Sequence, residues 1–219
     1  MPPSSSRPYA RTVRDAQIAR SRRSVIAAAD ACFLEAGFSG TTVAGVAVSA
    51  GVSVQTVYNV VGGKAELLKA AYDVRVAGDD EPVAVAERPQ VQAMSAAPTA
   101  RAALHAYAAL GRELGERTVP FLARVLPEAG ADAAIRAFAD TIERERATGA
   151  TNVVRHLHAT FGLRPGLTVE DATDILWALT APELADRLVH RRAWGWDRFQ
   201  RWLGDTLTDA LAAPLAGRP

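Results

Sequence analysis

Between Thr42 and Lys64 the chain carries a run of side chains that hydrogen-bond without charge, among them Thr42, Ser53, Gln55, Thr56, Tyr58 and Asn59. Lys64 closes the run with its one cation. Hydroxyls and carboxamides at these spacings make neither a nucleophile with its base nor a metal site. They make a hydrogen-bonding edge. A Gln or Asn amide offers a donor beside an acceptor, which matches the N6–N7 edge of adenine, and the methyls of Val54 and Thr56 match the thymine methyl. A phenol, a hydroxyl at a helix start and an ammonium suit phosphate oxygens.

Such an edge needs two short helices to hold it, and the punctuation around it supplies them. Thr42 is placed to cap a helix with Val43, Val46 and Ala47 turned inward. Gly51 ends that helix after about two turns, Val52 is expected as a buried plug, and Ser53 is placed to cap the next helix, ending near Val60 or Val61. Ala47 is small, as a close crossing requires. Two short helices about a Gly51–Val52–Ser53 turn make a helix-turn-helix, whose second helix enters the DNA major groove and offers its N-terminal residues to base edges. Gly62-Gly63 then breaks the chain before a fourth helix carrying Leu67, Leu68, Ala71 and Tyr72.

Upstream, Val25, Ile26, Ala29, Phe33 and Ala36 recur at helical spacing from Asp15 onward, and Gly37 is expected to end this first helix as a left-handed cap. Residues 1 to 14, rich in Pro, Ser and Arg, read as a flexible basic arm. Up to residue 77 the chain holds nine Lys/Arg against five Asp/Glu, while the remainder is slightly acidic. An anionic partner is therefore expected at the front only. Arg7, Arg11, Arg14, Arg20, Arg22 and Arg23 are available for phosphates or a minor groove, or form a solvated face.

The segment "FLEAGFSGTTVAGVAVSAGVSVQTVYNVVGGKAELLKAAYD", Phe33 to Asp73, resembles the DNA-binding domain of TetR-family transcriptional regulators. The resemblance rests on Gly37-Phe38, Thr41-Thr42, Val46-Ala47, Ala50 to Ser53, Thr56-Val57-Tyr58, and Lys64 before Leu67-Leu68. It implies DNA contact by Thr42, Ser53, Val54, Gln55, Thr56, Tyr58, Asn59 and Lys64. It also implies a homodimer on a palindromic operator in double-stranded DNA, released by a small-molecule effector of unidentified chemistry. Two departures stand out: Val60-Val61 replaces the family's frequent His-Phe, and Ala44-Gly45 puts no basic side chain at the start of the second helix.

The helical patterning of the 219 residues predicts an all-α fold: a three-helix helix-turn-helix domain to residue 78, then a larger helical domain over 79–219, which the resemblance implies serves effector binding and dimerisation. Residues 79 to 98 read as a long connection. Helices are expected over Thr99–Arg117, Val119–Leu126 and Ala131–Phe161, with a possible break at Gly149. Further helices are expected after a Thr168 cap, over "PELADRLVHRR", and over Trp196–Leu211. His105, Tyr107, Phe121, Phe138, His156 and Trp177 are candidates to line an effector pocket, with ordinary core as the other reading. Ile175, Leu179, Phe199, Trp202, Leu203, Leu207 and Leu211 form apolar stripes that suit a dimer interface or, equally, the core of one chain.

Other classes find less support. The sequence has no glycine-rich phosphate loop, no nucleophile elbow and no paired-His metal motif, so neither catalysis, cofactor nor metal is expected. His156 and His158 are two apart and fall on different helix faces. A helical enzyme, or a dimeric regulator without an effector, are the alternatives. No run of about 18 apolar residues predicts a membrane span. The N-terminus lacks the apolar stretch of a secretory signal. The single Cys32, expected as a buried structural thiol, fits a reducing compartment, so a cytoplasmic protein is expected.

Overall fold

The computed structural model describes residues 6–78 and 89–213. Among these residues no strand forms; Leu163 and Ala212 make one isolated antiparallel bridge. The helices are α1 Ser6–Gly40, α2 Val43–Ala50, α3 Val54–Val60, α4 Lys64–Ala77, α5 Pro89–Ser95, α6 Ala100–Val125, α7 Ala133–Phe161, α8 Val169–Leu179, α9 Pro182–Ala185 and α10 Trp196–Leu211. A 3₁₀ turn, Leu126–Gly130, joins α6 to α7. A π-helical turn, Asp186–Arg191, follows α9.

The chain separates into two compact units. The first takes in the described residues up to Arg75 together with Arg124–Arg136; the second takes in Val76–Ala123 and the chain from Ala137 onward. The end of α6, the 3₁₀ turn and the start of α7 thus group with the N-terminal residues, a grouping additional to the boundary expected after residue 78. No local signal in the sequence marks this grouping.

In the first unit, Val25, Ile26, Ala29 and Phe33 of α1 are buried with Val46, Ala47, Val57, Leu67, Leu68, Ala71 and Tyr72. Ala36, expected on the same face, is exposed, and Cys32 is half-buried. Gly37 breaks α1 at φ 70°, ψ −172°; its φ is positive as expected, but the extended ψ puts it in a region open essentially to glycine alone and not in the left-handed cap expected of it. The last turn then carries Phe38 back over the core, its ring stacked on Phe33 at 6.0 Å. At the other end the expected arm is helical from Ser6. Pro8 lies in the first turn, where backbone N–H groups have no helical partner to lose. Residues 1–5 of the arm lie outside the described residues, as do 79–88 of the expected connection, whose remainder includes the short helix α5.

The second unit buries Ala103, Leu104, Ala108, Val154, Leu157, Ala172 and Leu176 around the apolar face of α10. Phe199, Leu203, Leu207 and Leu211 on that face are at most 2% exposed within this one chain. The stripe offered as a dimer interface is therefore core, because α6, α7 and α8 already cover it. Ile175, Leu179 and Trp202 are half-buried against the same cluster. α6 also differs from expectation by running unbroken through Pro120. An interior proline costs a helix about 3 kcal/mol, but Val119, Phe121, Leu122 and Val125 around it are all buried, and their burial outweighs that cost. α7 passes Gly149 without a break.

Candidate nucleic-acid interface

The turn is assembled by local chemistry. Thr42 caps α2, its Oγ1 accepting from the Gly45 amide at 3.0 Å. Gly51 stands at φ 67°, ψ 32°, and its amide is received by the carbonyls of Ala47 and Val48. Ser53 caps α3, its Oγ accepting from the Thr56 amide at 3.1 Å. The two helices are bent by 97° across this turn, within the range of helix-turn-helix pairs. Val46, Ala47 and Val57 anchor the pair to α1. Val52, expected as a buried plug, is only half-buried, since Val57 one turn later takes the central position.

What α3 leaves outside is the edge named from the sequence. Gln55 and Asn59 are exposed, Val54 is 41% exposed and Tyr58 52% exposed. Tyr58 therefore does not serve as core beside Phe33. Gln55 and Asn59, one turn apart, are joined by a hydrogen bond from Gln55 Nε2 to Asn59 Oδ1 at 2.9 Å. Thr56 is half-buried and shares a hydrogen bond with Ser53, Oγ1 to Oγ at 2.8 Å. Val48 on α2, not singled out from sequence, is 83% exposed beside this turn. Its outward position follows from the inward facing of Val46 and Ala47.

The cations around the edge are partly engaged within the unit. Lys64, half-buried, begins α4 with its Nζ 4.2 Å from the centroid of the Phe38 ring, a cation–π contact. Arg22 donates to the carbonyl of Val60 at 2.7 Å, capping the C-terminal end of α3. Ser24 donates to the Ala50 carbonyl at 3.2 Å. α1 thus receives the ends of both short helices, and Arg22 is a positioning residue that sequence periodicity did not distinguish from its neighbours. Arg14 and Arg20 are exposed; the side chains of Arg7 and Arg11 lie outside the described residues.

Two ties stiffen the frame further. Arg75 on α4 makes a two-pronged ion pair with Asp30 on α1, including Nη2 to Oδ2 at 2.8 Å. Glu128, from the 3₁₀ turn, accepts from the amides of Phe38 at 2.9 Å and Ser39 at 2.8 Å, and from the Ser39 hydroxyl. The Ser39 hydroxyl first, then the two amides, hold the Glu128 carboxyl below its ordinary value against an opposing effect of burial.

Residues 25–71 match the model for bacterial regulatory proteins of the tetR family. The tetR-type match encloses α2, the turn, α3 and the root of α4, so it covers the edge just described. Solved structures extend the likeness to the whole fold. One is a putative TetR-family transcriptional regulator from Rhodococcus sp., with TM-score 0.67 and 16% identity over 88% of this chain and 98% of that one. Another is SmeT in complex with triclosan, with TM-score 0.66 and 20% identity over 91% and 95%. A third is NalD, the secondary repressor of the MexAB-OprM multidrug efflux pump in Pseudomonas aeruginosa, with TM-score 0.61 and 21% identity over 88% and 96%. No curated protein matches the sequence.

The candidate effector residues are dispersed within the chain. His105 packs on Gly204 and stands 3.3 Å from Asp205, which also pairs with Arg101 at 2.6 Å. Phe121 and Phe138 are buried. Tyr107, Arg146, Trp177 and Thr180 do come together. Burial pushes the Tyr107 phenol up, partly offset by Arg146 and by a hydrogen bond with Thr180. Arg146 lies 5.6 Å from the Trp177 ring, donates to the Trp177 carbonyl at 2.9 Å and is paired with Glu143 at 2.7 Å. The Trp177 Nε1 and the His156 Nε2 are buried with no hydrogen-bond partner among the described residues.

Proposed function

We propose that this chain is a one-component transcriptional repressor that binds a palindromic operator as a homodimer and leaves it when a small molecule occupies the C-terminal unit. The exposed, uncharged edge of α3 carries this reading: Gln55, Tyr58 and Asn59 stand outside a capped helix whose inner face is anchored to α1. Placed in a major groove, α3 sets amides against base edges, while Tyr58, Lys64 and the amides behind Thr42 meet phosphates. One such reading head spans too few base pairs for useful specificity, and a two-fold pair doubles the site.

An effector is supported by the Tyr107–Trp177 cluster, where a buried indole N–H has no partner among the described residues. A ligand acceptor there would recover the hydrogen bond. Proteins of similar fold include a repressor and a triclosan complex. α4, α6 and α7 each contribute residues to both units. A ligand that shifts any of them can therefore reach the reading head, and by linkage operator DNA must weaken the ligand to the same degree.

Footprinting of the purified protein on the DNA upstream of its own coding sequence tests the reading. Protection of an inverted repeat is expected. Protection of no inverted repeat at low or moderate salt overturns the dimeric-operator reading.

A further inference from the structure

Resting on the placement of α3 in the major groove, we infer that its reading edge selects A·T base pairs, and that Gln55 and Asn59 read as one joined unit. α3 is Val-Gln-Thr-Val-Tyr-Asn-Val and holds no charged residue. Guanine is most often read by Arg or Lys through O6 and N7, and cytosine by a carboxylate through N4. Neither side-chain type stands on this helix. The nearest cations lie elsewhere: Arg22 donates to the Val60 carbonyl at the far end of α3, and Lys64 lies beyond Gly62-Gly63 against Phe38.

What the edge does hold is complementary to adenine and thymine. The hydrogen bond between the Gln55 and Asn59 amides uses Nε2 of the first and Oδ1 of the second. It leaves the Gln55 Oε1 as an outward acceptor and the Asn59 Nδ2 as an outward donor. An acceptor for N6–H and a donor for N7 are what the adenine edge asks for. Here the two come from two side chains held to each other, with rotamers restricted before DNA arrives. Val54, 41% exposed at the start of the helix, presents methyls to a thymine methyl. Thr56, its hydroxyl engaged by Ser53, adds a further methyl.

The full-length protein is used to select from a pool of random 30-base-pair duplexes, and the enriched site is then altered one pair at a time. Enriched half-sites are expected to carry A·T at the positions α3 protects. Replacing one such pair by inosine·cytosine gives the major-groove face of G·C while keeping the minor-groove face of A·T. It is expected to weaken binding roughly five- to a hundred-fold. Gln55→Ala and Asn59→Ala are expected to relax preference at the same base pair, the double variant losing little more than either single one. Enrichment of G·C at the protected positions, or tolerance of inosine·cytosine there, overturns the A·T reading and leaves the DNA-binding reading standing. Relaxation at two different pairs with additive losses overturns the joined-unit reading. Failure of the pool to enrich at all overturns both this inference and the proposed function.

Discussion

The carboxylate of Glu128 accepts hydrogen bonds from both the amide and the hydroxyl of Ser39, 89 residues away in sequence. This fastens the 3₁₀ turn after α6 to the broken last turn of α1, directly before the Thr42 cap of α2. Glu128→Ala removes an acceptor of three hydrogen bonds and should cost about 1–3 kcal/mol in chemical denaturation, with the site partly solvated. A value within error of zero would mean that the tie does not hold the turn.

The same contact has a pH signature. The Glu128 carboxyl is held below its ordinary value in the folded chain. Its contribution is therefore complete above the unfolded value and is lost as pH falls through the folded value. The stability gap between the native chain and Glu128→Gln should be widest at neutral pH and close under acid, as read from thermal melts over a pH series. A gap that widens on acidification contradicts the assignment.

Gly37 is required twice at the same place. Its φ is 70°, and a Cβ there would stand 2.5 Å from Glu128 Oε1. Gly37→Ala should destabilise by about 1–3 kcal/mol from backbone strain alone. In the Glu128→Ala background the penalty should shrink toward the strain alone, since the clash is gone. A double-mutant cycle on denaturation midpoints checks the coupling.

Gly204 gives a comparable case in the second unit. A Cβ at Gly204 would meet His105 Nδ1 at 2.6 Å. Gly204→Ala should cost about 1–3 kcal/mol by overpacking, and His105→Ala should recover most of that loss. Independent losses in the two variants would show that the ring can move away freely.

Trp177→Phe separates stability from response. Its Nε1 is buried with no partner among the described residues, so removing the N–H should leave the melting temperature close to that of the native chain. If an effector's acceptor binds there, ligand-driven release from DNA should weaken while affinity for DNA in its absence stays the same. A variant that melts early and still responds fully would assign the indole to packing.

Much of the reading head is legible in the sequence because its chemistry is local. A cap acts within three residues, as Thr42 does on Gly45 and Ser53 on Thr56. A glycine takes a positive φ by itself, as at Gly37 and Gly51. Apolar spacing on α1 and α4 picks out one face without reference to anything it packs on. The exposed edge of Gln55, Tyr58 and Asn59 follows by elimination once Val57 is inside.

The remainder depended on partners distant in the chain. An apolar stripe states that a surface will be covered and not by what, so Phe199, Leu203, Leu207 and Leu211 fitted an interface until α6, α7 and α8 closed over them. The break expected between Arg117 and Val119 is absent, because α6 runs on through Thr118 and Pro120 among buried neighbours. Arg22 looks like any arginine on a basic helix until the end of α3 arrives beside it. Glu128 carries no local signal at all. The sequence by itself determined the turn, its caps and its exposed polar edge, because those rest on interactions within four residues. Only the tertiary structure decided which stripe is core and which charges hold the reading head, because those contacts join residues whose closeness no local preference encodes.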